Sequence, residues 1–412
     1  MAGISKQIIG QKDDEDYISL LPDYLIHHIF SCLHMRDVVK TCVLSKRWQS
    51  VWTTVSDLRF SVSSYDDSFV DRVLTLYGLD KVRKFHLEVN LKPLCPSKID
   101  SWAGFAIDHQ VEELLLDLNI WWADCPLSPL LYNCSSLTKL CLSGCCFSLS
   151  ESINWSSLKS LSIHSMDVID DVLQKILMGS PVLEYLNLKR CWGVQGIRST
   201  SLKELVIEDI SVGFPLHILT PRLLSLRVRG YYFDEIIRIV EAPSLLEAEL
   251  DFDGPITSDF CGLKRMLCQP QNATRVLFGP SCVEVMWTQI EDTQVSLPNC
   301  KSLTLHVAIS EFGFPPIANM LATTPNLEKL VIIFKPCDLY LNISDVDSFN
   351  FDEFYNFDHM SCWHVKKKFK HWAQRLENVE IFGFYGCLGL EYEEVLTLVE
   401  ERFKSQAIGV VQ

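Results

Sequence analysis

Apolar residues recur along most of the chain in one register, L-x-x-L-x-L, in which other apolar residues can replace leucine. Because alternate residues of a strand point to opposite sides, each copy predicts a short strand with its apolar residues inward. Successive copies lie 19 to 29 residues apart, except for a last step of 49 residues. Clear copies begin at Leu137, Leu158, Leu183, Leu202, Leu223 and Leu327, and looser ones at Val82, Val111, Leu245, Ala273, Cys300 and Leu376.

Some of the segments between these strands carry helix signals. Residues 170–181 (DDVLQKILMGSP) predict a helix that ends at Gly179. Its inward positions are Val172, Leu173, Ile176 and Leu177. A single unit of this kind cannot cover its own apolar side, so the units must stack to bury a core. The sequence thus predicts an α/β fold, an irregular leucine-rich-repeat solenoid with one parallel strand per repeat. It lacks the asparagine that regular repeats place after the third leucine, and an ordinary mixed α/β sheet is the alternative.

The first 60 residues follow a different, helical pattern. Pro22 suits the first turn of a helix, and Asp37 and Ser45 are the predicted N-caps of a second and a third. The apolar sides of the three helices are Leu25, Ile29, Phe30 and Leu33, then Val39, Cys42 and Val43, then Trp48, Val51, Trp52 and Val55. A unit of three such short helices is marginally stable when it stands alone.

This block holds more large apolar side chains than its own centre can bury. They are Leu20, Leu25, Ile26, Ile29, Phe30, Val38, Val39, Trp48 and Trp52. Burying one such side chain contributes about 1.5 to 3 kcal/mol, so the surplus favours association with another protein. A helix-turn-helix DNA reader would need polar side chains on its recognition helix, where this third helix carries tryptophans. The other alternative is that the block forms the first helices of a larger core.

Residues 18–52, ISLLPDYLIHHIFSCLHMRDVVKTCVLSKRWQSVW, resemble an F-box. In that family the F-box is the three-helix module by which substrate receptors attach to the Skp1 adaptor of cullin-RING ubiquitin ligases. The matching residues are Leu21, Pro22, Leu25, Ile29, Val39, Ser45, Arg47, Trp48 and Trp52. The resemblance implies one set of residues for contact with the adaptor, and some residues of this set are expected to form the core of the module. That set is Leu21, Pro22, Leu25, Ile26, Ile29, Phe30, Val38, Val39, Leu44, Trp48 and Trp52.

Strand residues that do not point inward are expected to line an exposed, concave sheet. The sixth place after the first apolar residue of each register carries acids, bases and histidines in mixed order. Such a mixture fits one specific partner, although each member could equally be an ordinary solvated strand residue. No uniform basic stripe is present, which argues against nucleic acid as the ligand. The candidate target-binding residues are His164, Lys189, Glu208, Arg229, Asp251 and His306.

The period breaks after Leu327. Residues 345–362 combine acidic and aromatic side chains and predict a loop insertion. Residues 375–403 resemble the FBD segment that closes many plant F-box proteins with leucine-rich repeats, namely a strand, a turn and an acidic helix. That motif normally continues into a further strand, and the ending KSQAIGVVQ leaves this strand in question. The predicted domains are a flexible N-terminus (1–15), the F-box (16–60), the solenoid (61–344), the insertion (345–362) and an FBD-like segment (363–412).

Composition and motifs narrow the classes of function. The net charge of -15 opposes binding to a phosphate backbone, and residues 1–60, with seven basic and seven acidic residues, are neutral. No secretory leader or membrane-spanning run is recognised, and the sixteen cysteines include no Cys-x-x-Cys pair, so we expect a reducing compartment, the nucleus and/or the cytoplasm. His359, Cys362 and His364 lack a fourth zinc ligand, and no catalytic motif occurs. We therefore expect no catalytic residue, metal or cofactor.

Together these features predict a non-enzymatic substrate receptor of a plant-type SCF ubiquitin ligase. The resemblance implies a Skp1-like adaptor and, through it, a cullin as partners, while the repeats would hold an unidentified protein target; no nucleic acid or membrane is expected to bind. Two alternatives remain open. The repeats could form a small-molecule, hormone-like sensor, or the chain could be a Skp1-binding scaffold without ligase turnover.

Overall fold

The computed structural model describes residues 18, 20–62, 68–89, 96–118, 125–148, 150–210, 215–231, 237–253, 260–286, 295–308, 320–321, 323–335, 376–382 and 407–411. They belong to two compact units, residues 1–123 and residues 124–412. Each unit is built around parallel strands and has its own apolar core.

The first unit begins with the three predicted helices. They are α1 (Asp23–Ser31), α2 (Met35–Lys40) and α3 (Trp48–Val51), with 3₁₀ turns at Thr41–Val43 and Trp52–Thr54. Pro22 directly precedes α1, where its missing N–H is not needed. The predicted N-cap at Ser45 is wrong, because Arg47 is the N-cap of α3. Ser45 Oγ nevertheless accepts a hydrogen bond of 3.4 Å from the Trp48 backbone N–H.

The predicted N-cap at Asp37 is wrong. Helix α2 begins two residues earlier, at Met35, so Asp37 lies in its first turn. A carboxylate in the first turn still favours the helix, because it faces the positive end of the helix dipole. Asp37 also accepts a hydrogen bond of 2.8 Å from Lys40 Nζ, which lowers the pKa of its carboxyl group.

Three parallel strands and two helices complete the first unit. They are β1 (Asp57–Val62), α4 (Ser68–Leu76), β2 (Lys84–Val89), α5 (Pro96–Asp108) and β3 (Glu113–Leu118). Helices α1 and α2 pack against β1, so the helical module and the first strand share a core. Strand β1 was not predicted as a repeat, although Val55, Leu58 and Phe60 keep the repeat register and are buried. Val55, the first apolar residue of this register, also fits the helical spacing of α3. For this reason the sequence did not predict the strand.

Among the described residues, the second unit contains eleven strands of one parallel sheet, and these include all the other predicted strands. In sheet order these are β4 (Lys139–Ser143), β5 (Ser160–His164), β6 (Tyr185–Lys189), β8 (Glu204–Glu208), β10 (Ser225–Tyr231), β12 (Glu247–Asp253), β13 (Arg275–Phe278), β14 (Ser302–Ala308), β15 (Lys329–Lys335), β16 (Asn378–Phe382) and β17 (Ala407–Val411). All twelve predicted strands are confirmed. Each begins two residues after the first apolar residue of its register, and the predicted inward residues are buried.

The connections between strands vary from repeat to repeat. Helices α6 (Asp170–Gly179), α7 (Phe260–Leu267) and α8 (Pro280–Val285) and a 3₁₀ turn (Pro129–Asn133) occupy some of them. Three successive connections instead carry the short strands β7 (Gly196–Arg198), β9 (Leu216–Leu219) and β11 (Ile237–Glu241), which form a second parallel sheet with β9 in the middle. The parallel strands in sequence order confirm the predicted solenoid, and these mixed connections make it irregular.

Helix α6 matches its prediction in both its end and its inward side. It ends at Gly179, and Val172, Leu173, Ile176 and Leu177 are buried. Gly179 lies so close to the preceding repeat that a Cβ added to it would overlap the carbonyl group of Ile153, whose carbon would be 2.8 Å away. Glycine is therefore required here by close packing.

We expect Gly179→Ala to destabilise the second unit by about 1 to 3 kcal/mol, because a backbone carbonyl cannot move aside as a flexible side chain can. The measurement is the thermal unfolding midpoint of the full chain. Met178→Ala is the matched control, since Met178 is 82% exposed and its loss should change stability by no more than about 0.5 kcal/mol. Equal midpoints for the two variants would contradict the close packing at Gly179.

A further strand, β17, follows residues 375–403, the part of the chain that resembles the FBD segment. It pairs in parallel with β16, with Val379 opposite Ile408 and Ile381 opposite Val410. The predicted insertion (345–362) and the candidate ligands His359, Cys362 and His364 lie outside the described residues. The predicted domain boundaries remain predictions.

Candidate protein-binding surfaces

Five of the eleven residues assigned to adaptor contact lie in the core of the helical module. They are Ile26, Phe30, Val38, Trp48 and Trp52. Trp48 is 3% exposed and packs edge-on against Phe30, with ring centroids 5.4 Å apart. The expectation that both tryptophans exceed what the module can bury is not met, because both are enclosed in this structure. Their assignment to adaptor contact stays a prediction.

The other six residues remain accessible at the surface. Leu25 is 37% exposed, Ile29 is 42% exposed and Leu44 is 46% exposed, Pro22 is exposed, and Leu21 and Val39 are half-buried. Leu20, Tyr24 and Val43 are also exposed apolar residues of the same module. Tyr24 and Val43 were not assigned to the surface from the sequence, and nothing in the helical spacing distinguishes them. The expected surplus of apolar side chains exists, and it consists of aliphatic residues and one tyrosine.

Polar contacts fix the helix that carries Leu25 and Ile29. The Arg47 guanidinium forms an ion pair with Asp23 in the first turn of α1. Further along α1, His27 Nε2 lies 3.2 Å from Thr54 Oγ1, which is hydrogen-bonding distance. These two contacts connect the first and second turns of α1 to Arg47 and Thr54, which lie on either side of α3. The exposed apolar side of α1 is therefore held in place relative to α3.

On the sheet of the second unit, the candidate target-binding residues form one row, as predicted. Adjacent strands pair residue by residue in the order His164, Lys189, Glu208, Arg229 and Asp251. His306 occupies the same register position on β14. The row spans seven neighbouring strands, β5 to β14, and six of them carry a candidate residue, so a partner could contact several members at once.

Most members of this row are already paired within the chain. Lys189 Nζ lies 2.7 Å from Glu208, and Arg229 Nε lies 2.5 Å from Glu249 on the next strand. His306 Nδ1 lies 3.1 Å from Asp251 Oδ2 although β13 runs between them. The β13 residue at this position is Gly279, and a Cβ there would come within 2.6 Å of the Phe252 backbone nitrogen. The sequence predicted the row and its mixed charges but not this internal pairing.

More than half of the described cysteines are buried, as expected of small apolar residues. Burial raises the pKa of Cys191 to about 11 and that of Cys300 to about 12, so neither is a reactive thiolate at neutral pH. Among the described residues no group of three or more His, Cys, Asp or Glu side chains could hold a metal ion. No helix in the described part of the chain has the length and apolar character needed to span a membrane.

In the first unit, the outward side of β2 carries a half-buried histidine. Burial lowers the pKa of His86; Glu88, 2.9 Å from its Nε2, opposes this effect, while Arg59 and His34 add to it. The folded state therefore binds this proton less readily than the unfolded chain does. The stability that the folded state has with neutral His86 is fully present above the ordinary pKa of 6.5. It is lost as the pH falls below that value and His86 takes up a proton.

We therefore expect the unfolding midpoint of the full chain to fall between pH 7.5 and pH 5.5, and to fall less in His86→Gln. His28→Gln is the control, because His28 is an exposed helix residue and its removal should leave the pH dependence unchanged. The comparison requires only thermal scans at the two pH values. An identical fall in His86→Gln and in the wild-type chain would contradict the assignment.

Comparison with known proteins gives two matching family models. "F-box domain" matches residues 18–60, and "FBD-associated F-box protein At5g56370, LRR repeats" matches residues 99–248. The first match contains α1 to α3 and the beginning of β1, and the second extends from α5 into β12.

Two relatives from Arabidopsis thaliana cover most of the chain. The F-box/LRR-repeat protein At5g02910 is 30% identical over 373 residues, which are 86% of this chain and 79% of the relative. The F-box/LRR-repeat protein At3g03360 is 31% identical over 346 residues, which are 78% of this chain and 71% of the relative.

Proposed function

The chain belongs to the family of plant F-box/LRR-repeat proteins, and we propose that it is the substrate-recognition subunit of an SCF-type E3 ubiquitin ligase. In this proposal the helical module binds a Skp1-like adaptor, and through it a cullin, while the repeats bind a protein target. The observation that carries the proposal is the set of exposed apolar residues on a module whose own core is already filled, above all Leu25, Ile29 and Leu44.

The proposed mechanism is catalysis by proximity, with the chemistry supplied by the partners. The receptor holds a target lysine near a ubiquitin-carrying enzyme, which raises its effective concentration there. No catalytic role is assigned to this chain. We place the complex in the nucleus and/or the cytoplasm, in keeping with the absence of a recognised secretory leader from the sequence.

The test is reconstitution of the full chain with a plant Skp1-like adaptor, a cullin and its RING partner. We expect a stable complex in size-exclusion chromatography and ubiquitin transfer to proteins that the chain captures from plant extract. Failure of the chain to co-elute with the adaptor would overturn the proposal. A stable complex that transfers no ubiquitin to any captured protein would favour the scaffold alternative.

A further inference from the structure

A small, partly open site lies on the outward side of strands β6, β8 and β10. The parallel register places Tyr185 beside Glu204, and Asn187 beside Val206, which in turn neighbours Arg227. Val206 is buried to 94% although it faces the outward side of the sheet, so the taller side chains around it form walls above an apolar floor. Such a floor with polar walls can receive one side chain of a partner.

Most charged groups around this floor are paired within the chain. Lys189 is paired with Glu208 at 2.7 Å. Glu249 attracts both Arg229, at 2.5 Å, and Arg227, at 3.8 Å. Lys189 and Glu208 compensate one another, whereas Arg227 and Arg229 share the single carboxylate of Glu249. The specificity of the site then depends on the acceptors that have no donor.

Two groups at the site have no partner among the described residues, and both are hydrogen-bond acceptors. Glu204 is exposed, and its carboxylate forms no ion pair there. Asn187 Oδ1 is enclosed without a donor among the described residues. A buried acceptor without a donor is unfavourable, and a donor supplied by a ligand would remove that cost.

Tyr185 forms the wall between these two acceptors. Burial raises the pKa of its hydroxyl; Arg227 opposes the change, and Glu204 and Glu208 add to it, so all three charges act on this ring. The hydroxyl therefore stays protonated at neutral pH. The ring also offers a face against which a cationic side chain can stack.

We propose that this site, formed by Tyr185, Asn187, Glu204 and Val206, binds a basic side chain of the target, an arginine or a lysine. The aliphatic stem lies on Val206, and the cationic head donates hydrogen bonds to Asn187 Oδ1 and to the Glu204 carboxylate. An acidic side chain would bring a further acceptor to Asn187 Oδ1 and a like charge to Glu204, and a purely apolar one would leave Asn187 without a donor. The net charge of -15 also favours the approach of a basic segment. The proposal deepens the proposed function, because it assigns a chemical class to the target.

The test is a selection of random peptides displayed on phage against the full chain in complex with its adaptor. The strongest binder is then synthesised with its basic residue replaced by neutral glutamine or citrulline. We expect an enriched arginine or lysine whose replacement weakens binding about tenfold or more, as loss of a charged hydrogen bond does. Glu204→Gln and Asn187→Leu should each weaken the original peptide to a similar extent.

The matched control is Glu184→Gln, which makes the same change of charge in the adjacent repeat but removes an exposed partner of Lys203. It should bind the peptide like the wild-type chain. The proposal is overturned if no peptide is enriched, if the enriched peptides have no common basic residue, or if Glu204→Gln and Asn187→Leu bind them unchanged. Because every variant is assayed in the adaptor complex, these outcomes leave the ligase proposal intact, whereas a chain that never enters the complex refutes that proposal by itself.

Discussion

Replacing Leu25 and Ile29 together by alanine is expected to weaken binding of the Skp1-like adaptor about 100-fold or more while the chain stays folded. Both side chains lie on the outward side of α1, 37% and 42% exposed, and neither belongs to the buried set of the module. Apolar anchors at the centre of an interface commonly contribute about 2 kcal/mol or more each. The measurement is the dissociation constant for the purified adaptor, together with the unfolding midpoint of the variant.

Leu76→Ala is the matched control for this double variant. Leu76 is a 61% exposed leucine on α4 of the same unit, so its truncation removes a similar exposed surface outside the F-box module. It should leave adaptor binding unchanged. Adaptor binding that survives in the double variant with wild-type affinity would refute the assignment of this surface.

Point variants are preferable to deletion of the whole module. Helices α1 and α2 pack on β1, and the F-box match itself includes Leu58 and Phe60 of that strand. Deleting residues 18–60 would therefore expose part of the core of the first unit. A loss of function in such a deletion could not be assigned to loss of the adaptor.

The repeat fold could be predicted from the sequence because its register depends on local alternation. Every predicted strand begins two residues after the first apolar residue of its register, even where Ala273 or Cys300 replaces leucine. Strand β1 was missed because Val55 suits both a helix side and the start of a strand. Local patterns cannot choose between two periods when one residue fits both.

The binding surface of the F-box was less predictable. On α1, Ile26 and Phe30 stand four residues apart, and so do Leu25 and Ile29. The first pair is buried and the second is exposed, so the helix carries two apolar stripes with the same spacing. Which stripe faces inward depends on β1, whose contact with α1 cannot be read from the helix sequence.

The row of candidate target-binding residues on the sheet could also be predicted only in part. Its members follow from the register of each repeat, because the register alone fixes which residues face outward. The pairing of His306 with Asp251 also requires a residue without a side chain on the intervening strand, which Gly279 supplies. Which side chains pair across repeats of unequal length is decided only when the repeats stack into a sheet. The role of each member of the row as a target contact stays a prediction.

We expect Trp48→Ala to destabilise the helical module by about 3 to 5 kcal/mol, the usual cost of removing a buried aromatic side chain. Trp48 fills the space beside Phe30 and is 3% exposed, so little of the void can be filled by water or by a partner. Hydrogen exchange of the amides in α1 and α3 reports the local effect, and both helices should exchange faster.

Trp48→Phe separates a core role for this residue from a contact role. Trp48 Nε1 has no hydrogen-bond partner in the described structure, so phenylalanine keeps the ring packing and loses no hydrogen bond. We therefore expect Trp48→Phe to retain both slow amide exchange and adaptor binding, whereas Trp48→Ala loses both because the surface that carries Leu25 and Ile29 is no longer held in place. If Trp48→Phe kept the slow exchange but bound the adaptor weakly, the tryptophan would be an anchor that reaches the partner, and its assignment to the core would be wrong.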